Sequence, residues 1–226
     1  YFGDSLSISS DGTRLAVGSP RRTSQTGNVF VYDYVSGSWS EGANWVGTNV
    51  NDIFGESVSL SSSGSRLAVG APGNTGAHRQ YIGTHVGYVR VFENQLGTWT
   101  QIGSDIVGES ASDHSGISVS MSGDGTRVAI GSHLNDGGGT DSGHVRIYKN
   151  INDAWVKVGN DLEGEAAGNR FGEGVSLSSD GNIVAIRASR YGENEINSGY
   201  VGIYKNINDT WVKVGNSILG EGKEGF

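Results

Sequence analysis

IFGESVSLSSSGSRLAVGAP, residues 53–72, is the stretch whose reading decides the fold. In SVSLS and LAVGA apolar residues alternate with small or polar ones, the period of a β-strand, and the Ser63-Gly64 pair between them is turn chemistry. The pattern returns three times, as YFGDSLSISSDGTRLAVGSP from Tyr1, HSGISVSMSGDGTRVAIGSH from His114 and RFGEGVSLSSDGNIVAIRAS from Arg170. After a glycine-rich stretch of variable length each copy continues with a second block: GNVFVYDYVSGSW, GYVRVFENQLGTW, GHVRIYKNINDAW and GYVGIYKNINDTW. The closing tryptophans, Trp39, Trp99, Trp155 and Trp211, are spaced 60, 56 and 56 residues apart, so the chain is four tandem copies of one unit.

In the fourth copy, period-two runs predict strands over 174–178, 183–188, 200–204 and 211–214, and no segment carries a helical period. Four strands joined by short turns make one antiparallel sheet per copy. Asp11-Gly12, Ser63-Gly64, Asp124-Gly125 and Asp180-Gly181 are the expected first hairpins, because each supplies a residue that tolerates φ > 0. One face of each sheet carries Val, Leu or Ile and the other Ser, Ala or Gly. Small side chains facing large ones let neighbouring sheets approach closely with both faces covered, as the radially arranged blades of a β-propeller require. The repeated tryptophan is expected to supply apolar area between neighbours.

The remaining composition narrows the function classes. The 226 residues include 38 glycines, 2 prolines and no cysteine, and carry a formal net charge of −8. The basic residues are scattered, which argues against a nucleic-acid partner. No apolar run is long enough to cross a bilayer as a helix, so direct membrane insertion is not expected. The lack of cysteine removes disulfides, thiolate catalysis and the usual zinc sites.

Phe54-Gly55, Leu67 to Pro72 and the Gly87 to Phe92 block together resemble the FG-GAP repeat of integrin α-subunit propellers and related surface proteins, and the likeness runs through the whole chain. Phe-Gly recurs at Phe2-Gly3 and Phe171-Gly172, while the third copy has Ser115-Gly116. The resemblance implies an all-β array of four four-stranded blades, one repeat domain over 1–226 with copies at about 1–53, 54–114, 115–170 and 171–225. Phe226 stands where a further repeat would begin, and family rings usually hold about seven blades, so the four copies are expected to belong to a larger propeller. A closed four-bladed ring, or the association of partial rings, is the alternative.

Many family members bind calcium in the loop between strands one and two. Here those loops hold at most one carboxylate each, Asp11, Asp124 or Asp180, too few for calcium's several oxygen ligands, so no metal and no cofactor is expected and these aspartates read as turn residues. Asp4, Glu56 and Glu173 follow the Phe-Gly pairs and would lie at the mouth of a central channel, as a cation-attracting set or a solvated rim; Ile117 breaks the series. The loops over 21–27, 73–86, 134–143 and 190–199 vary most and offer Arg21, Arg22, Arg79, Tyr81, Arg190 and Tyr191, side chains suited to a binding face. The histidines His78, His85, His114, His133 and His144 form no metal or triad spacing, no nucleophile elbow is present, and the glycine run at 137–139 lacks a phosphate-binding lysine, so catalysis is not expected. Asn208-Asp209-Thr210 is an N-glycosylation sequon.

These features and the resemblance imply an extracellular or surface-displayed propeller that binds a protein or glycan through loops on one face. A structural repeat that assembles with copies of itself or with other subunits is the second reading, and a polysaccharide-acting propeller enzyme the third.

Overall fold

Hairpins decide the strand order, and the computed structural model, which describes residues 2–22, 25–73, 86–190 and 198–220, shows four sheets in which the first four strands each pair with the next in sequence. The first blade is β1 (Ser5–Ile8), β2 (Arg14–Ser19), β3 (Asn28–Val35) and β4 (Ser38–Val46). The second is β5 (Ser57–Leu60), β6 (Arg66–Ala71), β7 (Tyr88–Gln95), β8 (Thr98–Gln101) and the short β9 (Ile106–Val107). The third runs through β10 (Ser118–Met121), β11 (Arg127–Ser132), β12 (His144–Ile151), β13 (Ala154–Lys157) and β14 (Leu162–Glu163). The fourth is β15 (Phe171–Leu177), β16 (Ile183–Ala188), β17 (Tyr200–Ile207), β18 (Thr210–Lys213) and β19 (Ile218–Leu219).

All pairings within the blades are antiparallel, and the described residues contain no helix. β9, β14 and β19 are additions to the expected four strands, each pairing with the start of its blade's third strand. In the first blade the bulge between Val31 and Tyr32 lets one long β4 serve both stretches. The first strand of the fourth blade begins at Phe171, three residues before the expected start, with a bulge before Gly174.

Turn chemistry follows the residues. Gly12, Gly64, Gly125 and Gly181 take φ of 72°, 68°, 70° and 68° in the first hairpins, the left-handed conformation expected there. The preceding aspartates act inside the turn: one Asp11 oxygen accepts from Ser9 Oγ at 2.6 Å, Thr13 N at 3.0 Å and Thr13 Oγ1 at 2.9 Å, and these bonds hold its carboxyl at about 2. Asp124 and Asp180 do the same, with Ser63 in their place in the second blade.

Between blades, large faces small. Leu6 and Ile8 share a face with Val17 and Leu15, and Ser5 and Ser7 share the other with Gly18 and Ala16. Each interface joins the small face of one blade to the large face of the next. Ala16, Val29 and Val31 pack on Phe54, Val58, Leu60 and Leu67, and the equivalent positions pack between blades two and three, where Ser115 replaces the phenylalanine, and between three and four. First strands bond directly across these interfaces, Ser7, Ser59 and Ser120 Oγ each accepting at 2.9 Å from the main-chain N–H of Leu60, Met121 and Leu177. They therefore form the inner edge of the array.

The tryptophan expectation holds where a neighbour exists. Trp211 is 4% exposed and donates from Nε1 to the Val158 carbonyl at 3.2 Å, and Trp155 makes the same bond to Ile102 at 3.1 Å. Trp39 belongs to the first blade, whose large face meets no other blade, and is 44% exposed. The four blades form an open array rather than a closed ring, since Leu6 and Ile8 of the first blade stay 62% and 57% exposed.

Candidate functional site

At one end of the blades lie the turns between strands one and two and between strands three and four. The Asn152-Asp153 and Asn208-Asp209 turns have φ of 50°, 62°, 51° and 60°, positive at both central residues as a type I′ hairpin demands. Asn208 is exposed there, so the sequon is accessible at this end.

The opposite end carries, among the described residues, the segments that vary between copies. Loops joining strands two and three bond to the loops that lead into the next blade, Ile53 N to Gln25 O at 3.0 Å, Phe54 N to Thr26 O at 3.1 Å and Arg170 N to Asp141 O at 3.1 Å, and to the loops that lead into their own blade, Gly73 N to Asp52 O at 3.0 Å, Leu134 N to Asp113 O at 3.3 Å and Arg190 N to Asn169 O at 3.2 Å. At the first and third junctions these main-chain bonds join loops of successive blades into one surface.

A polar residue two places before each Phe-Gly position organises that surface. Asp52 accepts from the N–H groups of Thr48 and Asn49 at 2.9 and 2.8 Å and from Tyr88 Oη at 3.0 Å. Asp113 accepts from Ser110 N at 3.2 Å and Asn135 Nδ2 at 2.7 Å, and Asn169 from Ala166 N at 3.0 Å. Burial and the nearby Asp52 charge push the Tyr88 hydroxyl up to about 12, so it stays a donor. Sequence reasoning missed this position, although its constant offset from Phe-Gly was readable. Beside it, Asn49, Asp52, Tyr88 and Asp105 line a recess of about 190 Å³. Arg90 closes its flank, donating to Asp105 at 2.8 and 2.7 Å and lying 5.2 Å from the Tyr88 ring centre.

Of the expected binding residues, Arg21, Arg22 and Arg190 are exposed on this surface; Arg79, Tyr81 and Tyr191 lie outside the described residues. Arg22 stands over the Phe30 ring at 5.4 Å. Arg21 is close enough to Glu56 to oppose the upward push that burial gives the Glu56 carboxyl, and Asp4 reinforces that push. The charges of Asp4 and Arg21 thus both act on Glu56, with opposite sign. Glu173 lies apart from them, in ion-pair contact with Arg187 at 3.4 Å.

Two further clusters lie on this side. The rings of His114 and His133 lie tilted to one another with centres 5.3 Å apart, and burial, with the His114 and Arg170 charges, holds His133 at about 3. Glu109, His144 and Asp161 bring one ligand-type atom each within 4.8 Å of one another. Arg146 already donates to both carboxylates at 2.8 and 2.7 Å, and Lys157 to Asp161 at 2.7 Å, so the cluster carries its own cations.

Residues 108–148 match the family model of the FG-GAP repeat. The other three copies share that segment's sequence pattern and strand order, so the chain is a β-propeller blade array built on this repeat. No curated protein matches it in sequence. Among solved structures it resembles Kuenenia stuttgartiensis hydrazine synthase, with TM-score 0.58 and 13% identity over 96% of this chain and 49% of that one. A functionally unknown protein from Desulfotomaculum acetoxidans DSM 771 matches with TM-score 0.59 and 14% identity, over 96% and 56% of the two chains. A putative 6-phosphogluconolactonase from Bacteroides uniformis ATCC 8492 matches with TM-score 0.50 and 15% identity, over 94% and 71%. The chain spans about half the length of the first two, and at these identities the likeness is one of fold.

Proposed function

We propose that this is a non-catalytic binding module, secreted or displayed at a cell surface, that engages a protein or glycan through the loop end of its blades and needs no cofactor. The observation that carries the reading is the division of labour between the two ends. Repeated turns of near-constant sequence occupy one end, and at the other the described parts of the variable loops bond to the loops that join the blades and bear the exposed Arg21, Arg22 and Arg190. A rigid scaffold that presents variable loops at one end is the usual architecture of recognition. Asn208 lies at the constant end, so a glycan there leaves the loop surface free. Among the described residues no helix is long and apolar enough to cross a membrane.

The test is a glycan array and a panel of extracellular matrix proteins probed with the chain and with its Arg21→Glu, Arg22→Glu, Arg190→Glu variant. Binding by the chain that the variant loses supports the reading. Binding that survives the loop changes, or that is lost when Asp11 and Asp124 at the constant end are replaced by Asn, sinks it.

A further inference from the structure

Three contacts recur at each of the three interfaces between blades. Ser5, Ser57 and Ser118 donate from Oγ to the carbonyls of Gly55, Gly116 and Gly172 at 2.8, 2.8 and 2.7 Å. Arg14, Arg66 and Arg127 donate from Nη1 to the carbonyls of Gly64, Gly125 and Gly181 at 3.0, 3.1 and 3.5 Å. The third is a close approach: a Cβ at Gly18, Gly70 or Gly131 would collide with the carbonyl oxygen of Gly55, Gly116 or Gly172. That oxygen is main chain and belongs to the Phe-Gly turn of the next blade, so it has little room to yield.

The fourth blade departs from this set at all three positions. In the pairing that sets Ser5 opposite Gly18, it sets Gly174 opposite Arg187, and Ile183 occupies the place of Arg14. The seat for the main chain of an incoming Phe-Gly turn is nevertheless kept. Phe54 lies against Gly27 and Gly47, and Phe171 against Gly143 and Gly164; the matching Gly199 and Gly220 line a hollow of about 420 Å³ on the fourth blade. Arg187 borders that hollow, with its side chain 61% exposed. The first blade has the opposite character. Its Phe2-Gly3 turn is complete, and Phe2, Leu6 and Ile8, whose counterparts Phe54, Val58 and Leu60 are buried, stay exposed.

We propose that the array is competent to dock a further blade at one end only. The large face of the first blade accepts the small face of a blade that carries Ser, Arg and Gly at the positions of Ser5, Arg14 and Gly18. The small face of the fourth blade is closed to a repeat of this kind, because Arg187 stands where the incoming Phe-Gly carbonyl must pass. The partner is identified by continuity with the three interfaces already present. A second copy of this chain does not qualify, since its only open small face is the one Arg187 blocks. That arrangement prevents the head-to-tail contacts from which a repeat with two sticky ends builds fibres. The inference stands independently of any ligand at the loop surface.

The test uses the whole 226-residue chain. One probe carries Gly174→Ser, Ile183→Arg and Arg187→Gly to open the fourth blade, with Leu6→Asp and Ile8→Asp to block its own first blade. Analytical ultracentrifugation of this variant mixed with the wild-type chain is expected to show particles of two chains and none longer, while each chain alone sediments as one. Arg187→Gly with Leu6→Asp is the milder second probe, and circular dichroism matching wild type establishes that either variant is folded. Folded variants that form no two-chain particle overturn the proposal. So does wild-type chain that associates with itself and ceases to do so on Leu6→Asp, because that result shows the fourth blade to be open despite Arg187.

Discussion

Gly70→Ala is expected to cost about 3 kcal/mol, far more than one methyl group ordinarily costs. Gly70 lies in β6 at the centre of the array, where an added Cβ runs into the Gly116 carbonyl oxygen and Ser57 Oγ, with the Gly116 carbonyl carbon 3.0 Å away. The obstacle is the main chain of the next blade, so the two blades must separate. Overpacking of this sort costs about 1–3 kcal/mol, and losing the Ser57 bond to Gly116 adds about 1 kcal/mol. Gly174→Ala is the matched control. There the nearest atom outside its immediate chain neighbours is Arg187 Cβ at 3.5 Å, an ordinary contact, and replacing a strand glycine by alanine stabilises by about 0.5–1 kcal/mol. Urea denaturation followed by tryptophan fluorescence reads both, and a wedge at the second interface is further expected to split the transition in two, because contacts in a repeat array run only between neighbours. A Gly70→Ala midpoint within about 0.5 kcal/mol of wild type would refute the close-approach argument.

Two other outcomes follow from the same packing. Trp211→Ala is expected to cost about 3–5 kcal/mol, whereas Trp39→Ala, at an exposed position braced by Tyr34, changes stability by less than about 1 kcal/mol; thermal denaturation separates them. Burial holds His133 at about 3 and His144 at about 4, below the ordinary histidine value, so the unfolded chain binds more protons than the folded one in mild acid. Their contribution is complete above the unfolded value and is lost as pH falls toward the folded ones, about 2 kcal/mol each between pH 7 and pH 5. His133→Ser with His144→Tyr, the residues of the fourth blade, is expected to flatten that slope in urea titrations at the two pH values; an unchanged slope contradicts it.

Much of the fold was legible because a blade's own geometry is local. Alternation in SVSLS and LAVGA, the Asp-Gly and Ser-Gly turns and the tryptophan period report strands, hairpins and repeat length, since each depends on neighbours within a few residues. The candidate surface was legible only in part. Variable loops pointed to Arg21, Arg22 and Arg190, but the Asp52, Asp113 and Asn169 position that fastens those loops passed unnoticed among ordinary loop polar residues. Asp4 and Glu56 read as a cation-attracting set or a solvated rim, and in the structure the Arg21 charge acts on Glu56 as well.

By itself the sequence determined four repeats of an antiparallel sheet with one large and one small face. Tertiary structure decided which faces meet, that the array stays open, and that Gly18, Gly70 and Gly131 are points of main-chain contact while Arg187 is not. The physical reason is that strand period and turn type are set by torsion angles close along the chain. The distance between two blades is set instead by side-chain volumes some fifty residues apart, and becomes readable only when both surfaces are present.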